Sequence, residues 1–232
     1  MRYSYTKIAT YKDCALKFKY AYIDNIKPPP SLATIRGEFM HKILENIGVD
    51  VSYEKMEYVA DNIQLPQNLD VKQAQSAIES VKKWFTLERF HDIVAVEKFF
   101  ELNIGDYVLV GKIDRIDRLF DNTYEVIDYK TGRTNNYDLL QLNIYALATY
   151  KLFNADEVIV RFEYIDTGET QRYSTQKQES DEFEKILIDY MSSIQRSIDS
   201  NNFPPTISAR CRTCLFKDMC EAYNNSRDKI KS

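Results

Sequence analysis

The sequence predicts an α/β fold in which helices flank a mixed β-sheet. Apolar residues recur at helical spacing over the first part of the chain, and the pattern changes to alternating strands near residue 93. The strands form a meander, which is followed by a helix, a strand and a further helix. Helices that alternate with strands in this order are typical of an α/β protein with a mixed sheet.

The individual elements are predicted from local patterns. Five residues mark an N-terminal helix by their helical spacing, namely Ile8, Tyr11, Ala15, Phe18 and Tyr22, and the KPPP stretch at 27–30 ends this region. Further helices are expected at about 32–47, 53–63, 70–90, 136–152 and 179–200. Strands are expected at about 93–103, 107–119, 123–130, 157–166 and 170–174, with hairpin signals at IGDY and FDNT.

Length and composition describe an ordinary globular protein. The chain has 232 residues, of which 44% are hydrophobic and 28% are charged, so it is long enough to bury a core and is neither fibrous nor disordered. No apolar run approaches the roughly 20 residues of a membrane span, and the first residues lack the apolar segment of a signal peptide. We therefore expect a cytoplasmic protein without a membrane association.

Charge is distributed unevenly along the chain. The net charge is −4, but residues 1–30 carry six Lys/Arg against two acids, and residues 208–232 carry six against three. The middle of the chain is correspondingly acidic. If the two basic ends meet, they form a phosphate-binding surface beside a carboxylate-rich centre; the alternative is solvated charge at the two termini.

The four cysteines have the spacing of a metal site. Cys14 lies near the N-terminus, and the other three follow a C-x2-C-x5-C pattern at Cys211, Cys214 and Cys220. Four thiolates are the full ligand set of an iron–sulfur cluster or a tetrahedral zinc ion, and spacing alone does not separate the two. Unligated buried thiols are the alternative. Ligation would bring the two basic ends of the chain together.

Two neighbouring strands carry acidic residues suited to a second metal. GKIDRIDRL places Asp114 on one strand, and EVIDYKTGR places Asp128 and Lys130 on one face of the next. If the strands pair, both carboxylates can reach one Mg²⁺ or Mn²⁺ ion, which prefers hard oxygen ligands. A nearby lysine can stabilise negative charge or orient the attacking water. Aspartates on strands are, however, also common at turns and surfaces.

Three further residues strengthen this interpretation. His41 lies on a predicted helix with an apolar face, and Gln141 and Tyr145 are four residues apart on one face of a later helix. Glu97 lies on the first predicted strand, where an outward-facing Glu is commonplace.

The ordered set of motifs resembles the RecB-like branch of the PD-(D/E)XK nuclease superfamily. G-x-x-x-H, G-x-x-D, D-Y-K-T-G and Q-x-x-x-Y occur in that order, and the cysteines flank them. The arrangement is similar to the iron–sulfur exonucleases associated with CRISPR systems (the fourth Cas family) and to the AddB nuclease domain. The resemblance implies a restriction-endonuclease-like core in one nuclease domain over 1–232. The sheet core would span about 93–175, and an iron–sulfur clasp would join about 1–30 to about 204–224.

The resemblance also implies roles for the residues. His41, Asp114, Asp128 and the backbone carbonyl of Tyr129 would hold Mg²⁺ or Mn²⁺, and Lys130 would be the catalytic lysine. Gln141 and Tyr145 would orient the site and contact the substrate. A structural [4Fe–4S] cluster would be held by Cys14, Cys211, Cys214 and Cys220.

These implications together predict a metal-dependent DNA exonuclease that prefers single strands or frayed ends. Aromatic residues near the basic N-terminus, Tyr11, Phe18, Tyr20 and Tyr22, could offer stacking faces to bases, or they could pack in the core. One alternative is a DNA-end-binding or adaptor subunit with little cleavage. The other is a structure-specific endonuclease. A protein partner, either a helicase or a CRISPR integrase, is compatible with each.

Overall fold

The computed structural model describes residues 1–132 and 138–226. The predicted start of the fourth long helix at 136 and three basic residues of the C-terminal segment lie outside these ranges, namely Arg227, Lys229 and Lys231. The helices are α1 (Tyr5–Asp13), α2 (Ala15–Phe18), α3 (Leu32–Ile47), α4 (Tyr53–Asn62), α5 (Val71–Leu87), α6 (Leu139–Phe153), α7 (Lys177–Asp199) and α8 (Glu221–Ser226). The strands are β1 (Arg2–Tyr3), β2 (Asp92–Ile104), β3 (Tyr107–Phe120), β4 (Thr123–Lys130), β5 (Glu157–Tyr164) and β6 (Glu169–Gln176).

These elements confirm the predicted α/β class with a mixed sheet. Two features differ from the sequence patterns. The N-terminal helix is interrupted at Cys14, whose extended backbone separates α1 from α2, and a π-helical turn follows at Lys19–Ile23. The short strand β1 carries no alternation signal, because it has only two residues.

The chain divides into two compact units, one of Met1–Pro29, Asn103–Leu109 and Lys185–Ser232, the other of Pro30–Leu102 and Val110–Glu184. In the second unit, which we call the sheet unit, β3 pairs antiparallel with β4, β4 parallel with β5, and β5 antiparallel with β6. Strand β2 joins the outer side of β3. Helix α6 connects the parallel strands β4 and β5, which is the connection that parallel neighbours require.

The core of the sheet unit lies between the sheet and helices α3, α4 and α5. Ile127 and Tyr129 on β4 pack there with Trp84 and with the apolar stripe of α3. Since side chains alternate along a strand, Asp128 lies on the opposite face, towards α6. One strand therefore supplies both a core face and a polar face.

The first unit contains the two chain ends. Within it, β1 pairs with the start of β3 through Arg2↔Val108 and Tyr3↔Leu109. The Tyr11 hydroxyl contacts Ser197 on α7 at 2.7 Å, and Phe18 is fully buried. Phe18 is therefore a core residue and cannot stack on bases. No helix among the described residues has the length and apolarity to cross a bilayer.

Candidate active site and cysteine cavity

Helix α3 carries His41 to the end of β4 through a close approach at Gly37. A Cβ atom at Gly37 would lie 3.0 Å from the Thr131 hydroxyl, so a larger residue would require the Thr131 side chain or the helix to shift. The apolar stripe of α3 is buried, and His41 lies at its edge. Its Nε2 atom is 2.9 Å from the carbonyl oxygen of Tyr129, and its Nδ1 atom is 3.4 Å from Asp114 Oδ1.

Strand β3 carries Asp114, and the glycine of the G-x-x-D motif also has a packing reason. A Cβ atom at Gly111 would overlap the ring of Phe100. Asp114 is buried, and its Oδ2 atom accepts a hydrogen bond from the Tyr129 amide at 2.8 Å. The backbone of Tyr129 thus contacts His41 through its carbonyl and Asp114 through its N–H.

Asp114 and Asp128 lie at the same end of the hairpin, as the sequence predicted. Arg115 pairs with Ile127, so the two aspartates are the next residues along their antiparallel strands. Asp128 is 4% exposed, and the Lys130 ammonium approaches its Oδ2 atom to 2.5 Å.

Gln141 joins the strand residues to α6 with both ends of its amide. Its oxygen accepts from Lys130 Nζ at 2.7 Å, and its nitrogen donates to Asp128 Oδ1 at 3.1 Å and to the Tyr145 hydroxyl at 3.1 Å. The spacing of four residues places Gln141 and Tyr145 on one face of the helix. The Q-x-x-x-Y pair and the D-Y-K strand therefore form one hydrogen-bonded group.

Burial and neighbouring charge alter the ionisation of this group. Burial raises the pKa of Asp128 to about 6, against the opposing charge of Lys130 and with a further increase from the charge of Asp114. Burial lowers the pKa of His41, but the hydrogen bond to Asp114 and the charge of Asp114 outweigh it, so that the net shift is upward. Burial also raises the pKa of Tyr145 well above its usual value, which keeps its hydroxyl protonated.

Glu97 is the site residue whose position the sequence did not indicate. One carboxylate oxygen of Glu97, one ring nitrogen of His41 and one carboxylate oxygen of Asp114 lie within 4.8 Å of one another. Glu97 has a left-handed backbone, with a φ of 52°, which is rare outside glycine. Strand alternation cannot predict a side chain turned by such a bend. The one available signal was an acid inside the apolar run AVEKFF.

Glu97 has a cationic neighbour in this structure. Its carboxylate forms an ion pair with Lys112, whose side chain is 56% exposed, whereas that of Glu97 is 13% exposed. The Oε2 atom of Glu97 and the Oδ2 atom of Asp128 are both buried, and each pairs with an ammonium group, that of Lys112 and that of Lys130 respectively. Both positions therefore accommodate positive charge, and a metal ion bound there would compete with these ammonium groups.

The four cysteines line one cavity in the first unit. Its volume is about 360 Å³, and Tyr20 and Phe216 contribute to its wall. The amide of Thr206 donates to Cys14 Sγ, and the amide of Ser208 donates to Cys211 Sγ, each at 3.4 Å. An ion pair between Asp13 and Arg210 at 2.9 Å joins the same two segments. The described parts of the two basic segments, 1–30 and 208–226, thus meet at the cysteines.

Comparison with known proteins decides the family. A family model described as PD-(D/E)XK nuclease superfamily matches residues 2–221. The chain belongs to the PD-(D/E)XK nuclease superfamily. Proteins of this superfamily use divalent metals, and the acidic group of His41, Glu97 and Asp114 is a possible metal site within the fold.

The chain is also similar to curated relatives over part of their length and, in its fold, to a solved structure. One relative is a subunit of the ATP-dependent helicase/deoxyribonuclease of Streptococcus pyogenes serotype M49 (strain NZ131), which is 22% identical over 161 residues, and its counterpart from serotype M6 (strain MGAS10394) is 23% identical. Each match covers 60% of this chain and 15% of the relative. The crystal structure of a "Putative exonuclease" from Eubacterium rectale matches the fold with a TM-score of 0.57 at 11% identity, covering 91% of this chain and 86% of that one.

Proposed function

We propose that the chain is a metal-dependent DNA exonuclease that hydrolyses phosphodiester bonds at single-stranded or frayed ends. The observation that carries the proposal is the hydrogen-bonded group of Lys130, Gln141 and Asp128 beside His41 and Asp114. A lysine and several acids at the end of a hairpin are the groups that phosphodiester hydrolysis needs. The deoxyribonuclease and exonuclease names of the similar proteins support DNA as the substrate and its ends as the point of attack.

The proposed ligands of Mg²⁺ or Mn²⁺ are His41, Asp114, Asp128 and the Tyr129 carbonyl, with Glu97 as an additional ligand. The buried Oε2 atom of Glu97 and Oδ2 atom of Asp128 support this set, because each already pairs with an ammonium group and so lies where positive charge is accommodated. A bound divalent ion would lower the pKa of its water and neutralise charge on the phosphate. Neutral imidazole and ionised carboxylates are required for ligation, which favours pH values above about 6, given the raised pKa of Asp128.

The proposed role of Lys130 follows from its position. Its side chain is 31% exposed, so its ammonium can contact an incoming phosphate or attacking water while it donates to Gln141 Oε1, which fixes its position. A positive charge at that point stabilises the negative charge that develops on the phosphate oxygens. Tyr145 holds the nitrogen end of Gln141, and its hydroxyl remains a neutral donor because its pKa is raised.

The proposed ligands of the [4Fe–4S] cluster are Cys14, Cys211, Cys214 and Cys220. They line a single cavity, and N–H groups donate to two of the sulfurs, which is a common means of stabilising thiolate ligands. In this proposal the cluster is structural: it holds about 1–30 against about 204–224 within one nuclease domain over 1–232. Absorbance near 400 nm that bleaches on reduction supports the cluster, and a colourless protein that contains zinc contradicts it.

The test is a nuclease assay with anaerobically purified protein and end-labelled single-stranded DNA, with and without Mn²⁺. Lys130→Ala and Asp128→Ala are run beside the wild type, and Asn143→Ala serves as a control on the same helix as Gln141. We expect metal-dependent degradation that both site variants lose and the control keeps. A folded, cluster-loaded wild type that does not cleave contradicts the exonuclease proposal and favours a DNA-end-binding role.

Two further arms separate the remaining alternatives. Covalently closed circular DNA has no ends, so its cleavage would identify an endonuclease. The similarity to a helicase-associated protein suggests a protein partner, and a helicase or a CRISPR integrase is the proposed class. Activity that requires such a partner would separate an adaptor role from a stand-alone enzyme.

A further inference from the structure

A groove lies between α3 and α4, beside the candidate active site, and its lining combines basic, amide, aromatic and aliphatic side chains. Its volume is about 660 Å³. Lys42 and Asn46, four residues apart, line it from α3, while Lys55, Tyr58 and Asn62 line it from one face of α4. None of these residues belongs to the group that holds the proposed metal.

The groove and the active-site depression share one lining residue, Lys42. The depression contains His41, Glu97 and Asp114. Lys42 follows His41 directly in α3, and Asn46 lies about one turn further along the same helix face. A strand that leaves the site past Lys42 would therefore meet this groove.

The charge of the groove differs from that of the whole chain. The net charge of the protein is −4, yet none of the eleven lining residues is acidic. No carboxylate lies within 4.0 Å of the Lys55 ammonium among the residues that the structure describes, whereas Lys42 pairs with Glu45 at 2.7 Å on an exposed helix surface. Exposed pairs of this kind are weak, so both ammonium groups are able to bind phosphate.

Tyr58 provides a stacking surface in the groove. Its residue surface is 64% exposed, and within the described part of the chain its ring pairs with no other aromatic ring. Any of the four bases can stack on such a ring, so the contact does not depend on the sequence of the strand. Tyr53, on the same helix, is 56% exposed but lies outside the groove, and its hydroxyl is bonded to Glu57. It is a matched control.

We propose that this groove binds the segment of single-stranded DNA next to the nucleotide being cleaved. Lys42 and Lys55 contact its phosphates, and Tyr58 stacks on a base. A single strand is the form that fits, because paired bases do not present a free face to a side chain. The proposal rests on the proposed nuclease function and extends it by naming the path of the substrate strand.

The test measures binding of fluorescent oligothymidylates of three and twelve nucleotides to the full chain carrying Lys130→Ala. Fluorescence anisotropy is recorded over a range of salt concentrations. Lys55→Ala and Tyr58→Ala are added together, while Tyr53→Ala with Lys72→Ala forms the control pair. Tyr58→Phe keeps the aromatic face without the hydroxyl.

We expect the groove variants to lose about tenfold or more in affinity for the twelve-nucleotide strand. The gain in affinity from three to twelve nucleotides should shrink, and the salt dependence should become shallower by about 0.7 in logarithmic slope. The control pair and Tyr58→Phe should behave as the parent does. A general loss of folding would also reduce binding of the short strand, so the length dependence distinguishes it.

If the groove variants gain as much affinity as the parent does between three and twelve nucleotides, the groove proposal is overturned. The nuclease proposal then remains intact, provided that the wild type cleaves DNA. A wild type that cleaves no DNA and a parent that binds none overturn both. Equal losses in the groove and control pairs also overturn the groove proposal, because they would indicate only a general loss of surface charge and aromatic area.

Discussion

Asp128→Asn should stabilise the metal-free protein at neutral pH, although it removes a site residue. Burial raises the pKa of Asp128 from 3.8 to about 6. An acid whose pKa is raised on folding contributes stability below its unfolded pKa and loses it as pH rises through the folded pKa. At pH 7.5 the ionised carboxylate costs about 3 kcal/mol, and at pH 5 the cost is about half of that.

The asparagine variant has no charge to bury, so this cost is absent. It also loses the attraction to the Lys130 ammonium, but the folded pKa already includes that attraction. The net gain expected is about 1–3 kcal/mol at pH 7.5 and about half of that at pH 5. For a chain of this size, each 1 kcal/mol corresponds to roughly 2–4 °C in Tm. The assay is thermal unfolding in EDTA at both pH values, repeated with Mn²⁺, which should stabilise the wild type more than the variant.

Asp166→Asn is the matched control, and its effect should have the opposite sign. Burial raises the pKa of Asp166, but the Arg36 guanidinium, at 2.7 Å, and the Gly132 amide outweigh it and lower the pKa overall. That carboxylate therefore stabilises the fold above its unfolded pKa, and its loss should cost about 1–3 kcal/mol. The reasoning is refuted if Asp128→Asn is less stable than the wild type in EDTA at pH 7.5. A gain that does not shrink at pH 5 also refutes it.

Two further variants test the remaining contacts of the site. Lys112→Ala removes the ammonium that pairs with Glu97, so Mn²⁺ should bind about two- to fivefold more tightly, as measured by titration calorimetry. Weaker binding would contradict the inference that Lys112 competes with the metal for Glu97. Gln141→Ala removes the acceptor that holds the Lys130 ammonium, so kcat should fall about 10- to 100-fold with little change in KM. The control variant Asn143→Ala should have the kcat and KM of the wild type. A change in KM alone would indicate that Gln141 contacts the substrate instead.

Much of the fold was predictable because its elements obey local rules. The α3 helix begins and ends where the pattern predicts, at Leu32–Ile47, since Ser31 caps its first turn and Gly48 takes a positive φ at its end. Strand β4 also matches its prediction, at Thr123–Lys130. Helix α5 ends at Leu87, short of the predicted residue 90, because Phe90 packs on Phe85 from the following loop and does not continue the helical stripe.

The sequence by itself determined the α/β class and the order of the four motifs. It also predicted that Asp128 and Lys130 share one face of a strand and that Gln141 and Tyr145 share one face of a helix, because strand alternation and helical spacing specify which side chains share a face. Only the tertiary structure decided that Glu97 joins His41 and Asp114 and that Lys112 opposes it. A left-handed backbone at one strand residue, together with packing between elements distant in sequence, determines those neighbours. Local periodicity carries no information about either.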